Sequence, residues 1–392
     1  MRHPKSTYVN LVRFVLLLVL LGLPADGWPQ ASPLPTHPDN PYSTERRYAS
    51  LLVIDAVTED VLLSDQPDLP RAPASLVKMM TLLLLLETIE RGEISLESEL
   101  EVSWRSSKIG GSGVGLVSHE KLTVEEAAQA LIISSGNDAA IAIAGHLAGS
   151  ESVFATRMNR RCRELGMTAT SYFNAHGLDG WKPGSVTTAH DQAILARKLL
   201  EFPDVLRWTS NRSVTIRGGQ TIRSTNKLLG RVEGVDGLKT GYIGKAGFCL
   251  VATAERAGHR IISVLLGGTN SQARFDESAW ALTEAFLRFE RVQPLSAGDD
   301  LGLVELPGSV PASLRLVAEE DVILCLPRPF DEDLTTTSRL IRGLAPPITV
   351  GTALTKIEIR SGNRVLARTQ GIAAESARAE TFFERLQRWF KR

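Results

Sequence analysis

Ser75 and Lys78 stand three residues apart, at the head of a run with few polar residues (Val77 to Leu86). On a helix that spacing puts both side chains on one face and within reach of each other. A serine hydroxyl is a poor nucleophile until a neighbour takes its proton. A lysine can do so only when desolvation or a nearby positive charge lowers its pKa. The apolar run supplies the first condition, and Lys239 is a candidate for the second. A second group, Ser135-Gly136-Asn137, falls between two predicted helices. There Ser135 can relay a proton, and Asn137 can position Lys78 and a substrate amide through its donor and acceptor atoms. Asn is also a preferred helix N-cap, so the tripeptide alone does not choose between these roles. The third group, Lys239-Thr240-Gly241, closes a predicted strand. A lysine and a hydroxyl together can clamp a carboxylate, and the glycine lets a substrate backbone pass close by. The same residues also suit a plain strand end with a turn glycine. The backbone N–H groups of Ser75 and Tyr242 are candidates for stabilising an oxyanion.

Two of these patterns recur. Ser-x-x-Lys also occurs at Ser118/Lys121 and Ser224/Lys227, and Ser-Gly-Asn at 361–363; Lys-Thr-Gly is unique. Ser118 lies in a loop before a predicted helix cap, so helical spacing does not apply. Ser224/Lys227 follows a strand in a polar segment with nothing to tune the lysine. Ser361-Gly362-Asn363 sits between two short apolar stretches and reads as a hairpin turn. His176, in Asn174-Ala175-His176-Gly177-Leu178, has the type of a triad histidine, but its flanking glycine favours a turn and a lysine already serves Ser75.

The 392 residues are enough for two to three domains, and 43% hydrophobic with 22% charged residues is a globular composition. Lys+Arg and Asp+Glu are both 44, so no overall basic character points to nucleic acid. No histidine spacing suggests zinc. Cys162, Cys249 and Cys325 are odd in number and widely spaced, which implies neither a disulfide framework nor a metal clip. Cys249 lies in an apolar run and reads as a core residue. At the N-terminus, Arg2, Lys5 and Arg13 precede the apolar run Phe14 to Leu23, the pattern of a secretory signal. The run is shorter than the about 20 residues of a spanning helix.

A Pro/Ser/Asn-rich linker follows, then predicted strands at 50–56 and 61–63. A buried helix runs from Ser75 to about Ile89. Thr123-Val124-Glu125-Glu126 has the form of a capping box, and further helices are expected over 137–147, 150–165 and 188–200. Strands return at 212–216, 219–224, 235–240, 248–255 and 260–266, closed by a helix over 275–289. This order indicates an α+β fold, a sheet with helical cover and an all-α lobe. The domains expected are a signal (1–27), a linker (28–45), a catalytic domain (46–290), a small β-domain (295–370) and a C-terminal helix (374–392). That helix places Phe382, Phe383, Leu386, Trp389 and Phe390 on one side, with Arg378, Arg385, Arg388, Lys391 and Arg392 supplying positive charge. Such a helix suits an anionic membrane surface.

The three motifs in this order resemble those of penicillin-binding proteins and serine β-lactamases. Ala74-Ser75-Leu76-Val77-Lys78-Met79-Met80-Thr81 is similar to the nucleophile segment of the low-molecular-weight penicillin-binding proteins, the D-alanyl-D-alanine carboxypeptidases of peptidase family S11. So are Gly110-Gly111-Ser112, Ser135-Gly136-Asn137-Asp138-Ala139-Ala140, Met158-Asn159, Leu165-Gly166-Met167, His176-Gly177-Leu178 and Gly237-Leu238-Lys239-Thr240-Gly241-Tyr242. Val77 stands where the family usually has Thr, and Ile243 where a polar residue is common. The resemblance runs from about residue 45 to 290 and extends more loosely to the β-domain and the amphipathic tail. It implies the β-lactamase/penicillin-binding-protein fold, Ser75 as nucleophile, Lys78 as general base, Ser135 as proton relay and Asn137 in positioning. It also implies Lys239, Thr240 and Gly241 around the substrate carboxylate, with Tyr242 in the oxyanion hole. The substrate implied is the D-Ala-D-Ala end of a peptidoglycan stem pentapeptide, with β-lactams as covalent inhibitors, and the location is the outer face of the cytoplasmic membrane. No metal or organic cofactor is implied. A β-lactamase and a non-catalytic wall-binding scaffold are the alternatives. The first needs a deacylating glutamate that no segment compels, and the second is opposed by the intact motifs.

Overall fold

A computed structural model describes residues 47–178 and 184–390. The expected signal and linker, residues 1–45, lie outside the described residues, as do Lys391 and Arg392. The chain begins with two strands, β1 (Ser50–Asp55) and β2 (Val61–Asp65). It leaves them for a lobe made of α1 (Val77–Glu90), α2 (Trp104–Lys108), α3 (Val124–Ile132), α4 (Asn137–Ala148), α5 (Glu151–Glu164), α6 (Ala189–Leu200) and α7 (Pro203–Thr209). Two small ribbons decorate the lobe: β3 (Glu99–Glu101) with β4 (Lys121–Thr123), and β5 (Ser213–Ile216) with β6 (Gln220–Arg223). The chain then returns through β7 (Val235–Ile243), β8 (Gly247–Arg256) and β9 (His259–Gly268), and closes with α8 (Ser271–Arg288). The main sheet is antiparallel in the order β2-β1-β9-β8-β7. The helical lobe is therefore an insertion between β2 and β7, and β7 ends the row.

Side-chain alternation gives this sheet two apolar faces. Leu51, Val53, Ile261 and Leu265 pack with Phe275, Leu282 and Phe286 of α8. Leu52, Ile54, Ile262, Val264 and Leu266 join the core of the lobe around α1. Burying one such side chain is worth about 1.5–3 kcal/mol. Helix α1 is buried nearly all round, as its apolar sequence requires. It begins at Val77 rather than Ser75, because Ala74–Leu76 form a short 3-10 turn entered through a left-handed Ala74 at φ +51°.

Side-chain caps fix several of the other helix starts. Thr123 and Glu126 form the expected reciprocal box at α3, while Ser150 and Thr188 cap α5 and α6. α2 and α7, each a short helix, were not anticipated.

The C-terminal part is β-rich. It contains β10 (Phe289–Leu295), β11 (Asp300–Glu305), β12 (Ser309–Val310), β13 (Ser313–Ala318), β14 (Val322–Pro327), β15 (Leu334–Leu340), β16 (Ala353–Ser361), β17 (Arg364–Ala373) and β18 (Arg378–Ala379). Five of these form a sheet in the order β11-β13-β17-β16-β15, and β10 pairs with β14. The β region therefore begins at Phe289, directly after α8, earlier than the expected start at residue 295. β15 escaped the sequence reading because it is polar and largely exposed at the edge of its sheet. Gly362 and Asn363 form the expected turn between β16 and β17.

The C-terminal helix is shorter than the expected 374–392. Arg378–Ala379 is a strand paired with Ser309–Val310, and only α9 (Phe382–Phe390) is helical. Thr381 sets the start: its hydroxyl accepts from Glu384 N–H, and Glu384 Oε2 accepts from Thr381 N–H. No helix among the described residues is long and apolar enough to cross a membrane.

Candidate active site

The 3-10 turn before α1 delivers Ser75 to the foot of β7, and the first turn of α1 delivers Lys78 into the core. Lys78 has no exposed surface. Its Nζ lies 2.9 Å from Ser75 Oγ, 2.7 Å from Asn137 Oδ1 and 2.8 Å from the carbonyl oxygen of His176. Burial, and after it the positive charge of Lys239, push its pKa well below the ordinary lysine value, while Asp138 pulls the other way.

Asn137 occupies the first turn of α4, but its side chain is not a cap. Gly136 holds the cap position, and Asn137 Nδ2 donates to the carbonyl of Gly110 while Oδ1 faces Lys78. The N-cap alternative for Asn137 is thereby excluded. Ser135 is buried two residues earlier, with φ +65°. A non-glycine residue held in that region costs about 1–3 kcal/mol, and such residues cluster at active sites. Ala74 and Ser135 thus flank the site with two left-handed residues. Asp138 organises the facing loop, with Oδ2 accepting from the N–H groups of Val114, Gly115 and Leu116.

β7 brings Lys239, Thr240 and Gly241 to the same place. A Cβ on Gly241 would stand 3.2 Å from Ser75 N and 3.0 Å from Pro73 O, so the strand and the serine turn touch only because this residue is glycine. Lys239 is 1% exposed, and its Nζ donates to Thr240 O. Burial, then the charge of Arg274, lower its pKa to about 7. The hydroxyls of Thr240 and Thr225 are 2.6 Å apart. Tyr242 lies further out, its ring stacked on Phe248 with centroids 4.2 Å apart.

Three contributors were missed in the sequence. Arg274 of α8 is buried behind β7, where Nη1 donates to the carbonyls of Gly241 and Cys249. Arg274 falls on the same stripe of α8 as Ser278, Ala281 and Ala285, but one residue before the helix expected over 275–289. Thr225 left no signal, because an isolated threonine in a loop matches no pattern. His176 acts through its main chain, as an acceptor for Lys78, which a side-chain search does not find. Its ring is already occupied: Nδ1 accepts from Leu178 N–H, and Nε2 is 3.1 Å from Glu151 Oε1. Gly177, at φ +85°, is held so close that a Cβ would stand 1.9 Å from Ala74 O. The turn expected at His176-Gly177 is thus part of the floor under Ser75.

The recurrent motifs separate cleanly. Lys121 pairs with Glu99 on the surface, and Lys227 is exposed. Ser75, Lys78 and Asn137 are hydrogen-bonded together, and Ser135, Lys239, Thr240 and Gly241 lie on the segments around them.

The arrangement matches known proteins along most of the chain. Residues 37–270 match the family model described as D-alanyl-D-alanine carboxypeptidase, peptidase S11. The D-alanyl-D-alanine carboxypeptidase DacF of Bacillus subtilis is 29% identical over 344 residues, 86% of this chain and 88% of that one. DacA of Escherichia coli is 31% identical over 73% of this chain and 72% of its own. Among solved structures, penicillin binding protein 5 from Haemophilus influenzae superposes with a TM-score of 0.75 at 25% identity, covering 86% of this chain and 98% of its own. Penicillin-binding protein D2 from Listeria monocytogenes, solved in an ampicillin-bound form, gives 0.58 at 31% identity over 62% of this chain and 99% of its own. With its fold, its buried Ser-x-x-Lys pair and these relatives, the chain belongs to the D-alanyl-D-alanine carboxypeptidases of peptidase family S11, serine-type hydrolases of the penicillin-binding-protein fold.

Proposed function

We propose that the enzyme removes the terminal D-alanine from peptidoglycan stem pentapeptides through an acyl-enzyme on Ser75. The observation that carries this reading is the hydrogen-bond count at Lys78. A neutral amine has two N–H groups and one lone pair. With Lys78 neutral, its two N–H groups serve Asn137 Oδ1 and His176 O at 2.7 and 2.8 Å, and its lone pair is left for the Ser75 hydroxyl 2.9 Å away. Lys78 is therefore set to accept the Ser75 proton as Oγ attacks the penultimate D-Ala carbonyl. General-base help of this kind is worth about 10²–10⁴ in rate. Oγ forms the new ester bond, and the backbone N–H groups of Ser75 and Tyr242 receive the oxyanion. The C–N bond to the terminal D-Ala then breaks, and the leaving amine takes its proton through Ser135. Lys239 and Thr240 hold the departing carboxylate, and Gly241 lets the peptide lie close along β7. Water, deprotonated by the same Lys78, then hydrolyses the ester.

β-Lactams acylate the same serine in this reading, supported by the ampicillin-bound form of the Listeria relative. We infer that residues 1–27 export the chain, and that it works on the outer side of the cytoplasmic membrane, where peptidoglycan lies. α9 presents Phe382, Phe383, Trp389 and Phe390, each at least 70% exposed, and this supports attachment to the membrane surface.

The test is D-alanine release from a D-Ala-D-Ala peptide, paired with labelling by a fluorescent penicillin. Release and labelling are expected, and Ser75→Ala should abolish both. Rapid penicillin turnover without D-alanine release would instead indicate a β-lactamase. An unlabelled, inactive wild-type protein would indicate a scaffold.

A further inference from the structure

A second cluster of reactive side chains lies away from the serine site, where the main sheet meets the β region. Asp55 ends β1, His259 begins β9 and Cys325 lies in β14. His259 Nε2 is 3.0 Å from Asp55 Oδ2 and 3.9 Å from Cys325 Sγ, and all three ligand atoms lie within 4.8 Å of one another. We propose that Asp55, His259 and Cys325 bind a zinc ion, with water in the fourth position, joining the catalytic sheet to the C-terminal β region.

Four observations carry this. The first is distance. A tetrahedral zinc with bonds of about 2.0–2.3 Å sets its donor atoms roughly 3.3–3.7 Å apart; the two separations at His259 lie within a few tenths of an ångström of that spacing, and the Asp55–Cys325 pair, within 4.8 Å, closes by up to about an ångström. The second is the donor set. Nitrogen, thiolate sulfur and carboxylate oxygen together suit zinc, whereas a sulfur ligand disfavours magnesium and calcium. The third is the Asp55 carboxylate, whose Oδ2 meets His259 Nε2 at 3.0 Å without an aligned hydrogen bond. Asp55 is fully buried, its Oδ1 accepts from Val57 and Thr58 N–H at 2.7 Å, and its Oδ2 has no aligned hydrogen-bond donor. One oxygen is thus fixed by the backbone and the other is left pointing at the cluster.

The fourth is access. Cys325 lines a cleft of about 1140 Å³ that is also lined by Asp60, Asp331, Glu332 and Asp333. Acidic walls draw a cation inward. The positive groups nearby are Arg291, paired opposite Cys325 across the β10–β14 ribbon, and Arg364, which acts on Asp60. Binding replaces the thiol proton, which leaves to solvent, with a Zn–S bond. Neither cysteine nor histidine spacing reveals the site, because its three ligands come from strands far apart in the chain.

The test uses the purified full-length protein, stripped with a chelator and titrated with Zn²⁺ or Cd²⁺. One zinc per chain is expected by elemental analysis, with a cadmium–thiolate charge-transfer band that saturates at one equivalent. Cys325→Ser should remove the band and weaken zinc binding at least about tenfold, since the loss of even a second-shell partner costs 10–100-fold. D-alanine release should be unchanged, which separates this site from the serine site. Zinc should raise the melting temperature of the wild type and not of Cys325→Ser. His259→Gln, which keeps the thiol, gives an independent reading and should weaken zinc binding similarly. Absence of stoichiometric binding, or a band that survives Cys325→Ser and so belongs to another cysteine, would overturn the proposal.

Discussion

The serine cleft and the C-terminal helix depart from ordinary burial in opposite directions. In the cleft, Lys78 and Lys239 are 0% and 1% exposed. On α9, Phe382, Phe383, Trp389 and Phe390 are 70–75% exposed. Taking an ion out of water costs several kcal/mol even after relaxation, and each uncovered aromatic forgoes about 1.5–3 kcal/mol of burial. Neither departure helps the fold, so each marks a place where something else is gained. In the cleft the gain is a lowered pKa, and on the helix, in the proposed reading, it is an apolar face for the membrane surface. The cleft is assembled from segments far apart in the chain, among them the turn before α1, the start of α4, His176–Gly177 and β7. The helix is a single local element whose sequence alone sets its character.

The largest expected effect breaks the cleft at Asn137. Asn137→Ala removes one of the two carbonyl acceptors that hold the N–H groups of Lys78, and a hydrogen bond to a charged or tuned group is worth about 1.5–3 kcal/mol. The rate of acylation by a D-Ala-D-Ala peptide should fall about 10- to 100-fold. Asn363→Ala, in the other Ser-Gly-Asn, should leave that rate unchanged and stability within about 0.5 kcal/mol. Asn363 is exposed in the β16–β17 turn. Single-turnover kinetics on both variants decides the matter. Equal effects, or none at Asn137, would mean that the polar contacts of Lys78 do not tune it.

That matched pair also shows how far sequence reading reaches. Short apolar runs found β1, β8 and β9, and Thr123 with Glu126 announced α3, because those signals lie within a few residues. The Ser75–Lys78 face was legible for the same reason. Asn137 was ambiguous between cap and contact until Gly136 was seen to take the cap position. His176 contributes a carbonyl oxygen, and every residue has one, so no residue type reveals it. Arg274 reaches Gly241 from α8, a contact set by how that helix lies on the sheet. The start of α9 was misjudged because amphipathic periodicity continues backward past Thr381, whereas the β12–β18 pairing takes that backbone for a strand.

An intermediate effect is expected from pH. Lys239 has a folded-state pKa of about 7, depressed first by burial and then by Arg274. Its cationic form, the one proposed to hold the substrate carboxylate, is therefore present below that value and lost above it. Lys78 acts as a base only when neutral, so its contribution grows as pH rises through its own lowered pKa. For the free enzyme, kcat/KM on a D-Ala-D-Ala peptide should rise and then fall, with the alkaline limb near pH 7. Lys239→Arg keeps its charge at all these pH values. It should lower the amplitude, since the two side chains are not interchangeable, and remove the alkaline limb. An alkaline limb that persists in Lys239→Arg would assign that titration to another group.

The smallest effect on catalysis is expected at the exposed helix. The cut belongs after Glu380, because Arg378–Ala379 pairs with Ser309–Val310 and Glu380 N–H donates to Gly308 O. Removing residues 381–392 then deletes the aromatic face and leaves the β region paired. With a soluble peptide, kcat/KM should change less than about twofold, as expected for a surface change remote from the site. Sedimentation with anionic vesicles should be lost, and for the intact chain it should weaken as salt is raised, because positive charge contributes to the attraction. If the truncated chain still sediments with vesicles, another surface holds the membrane. If it loses activity on the soluble peptide, the cleft and the helix are coupled, and the contrast between a buried catalytic region and an independent anchor fails.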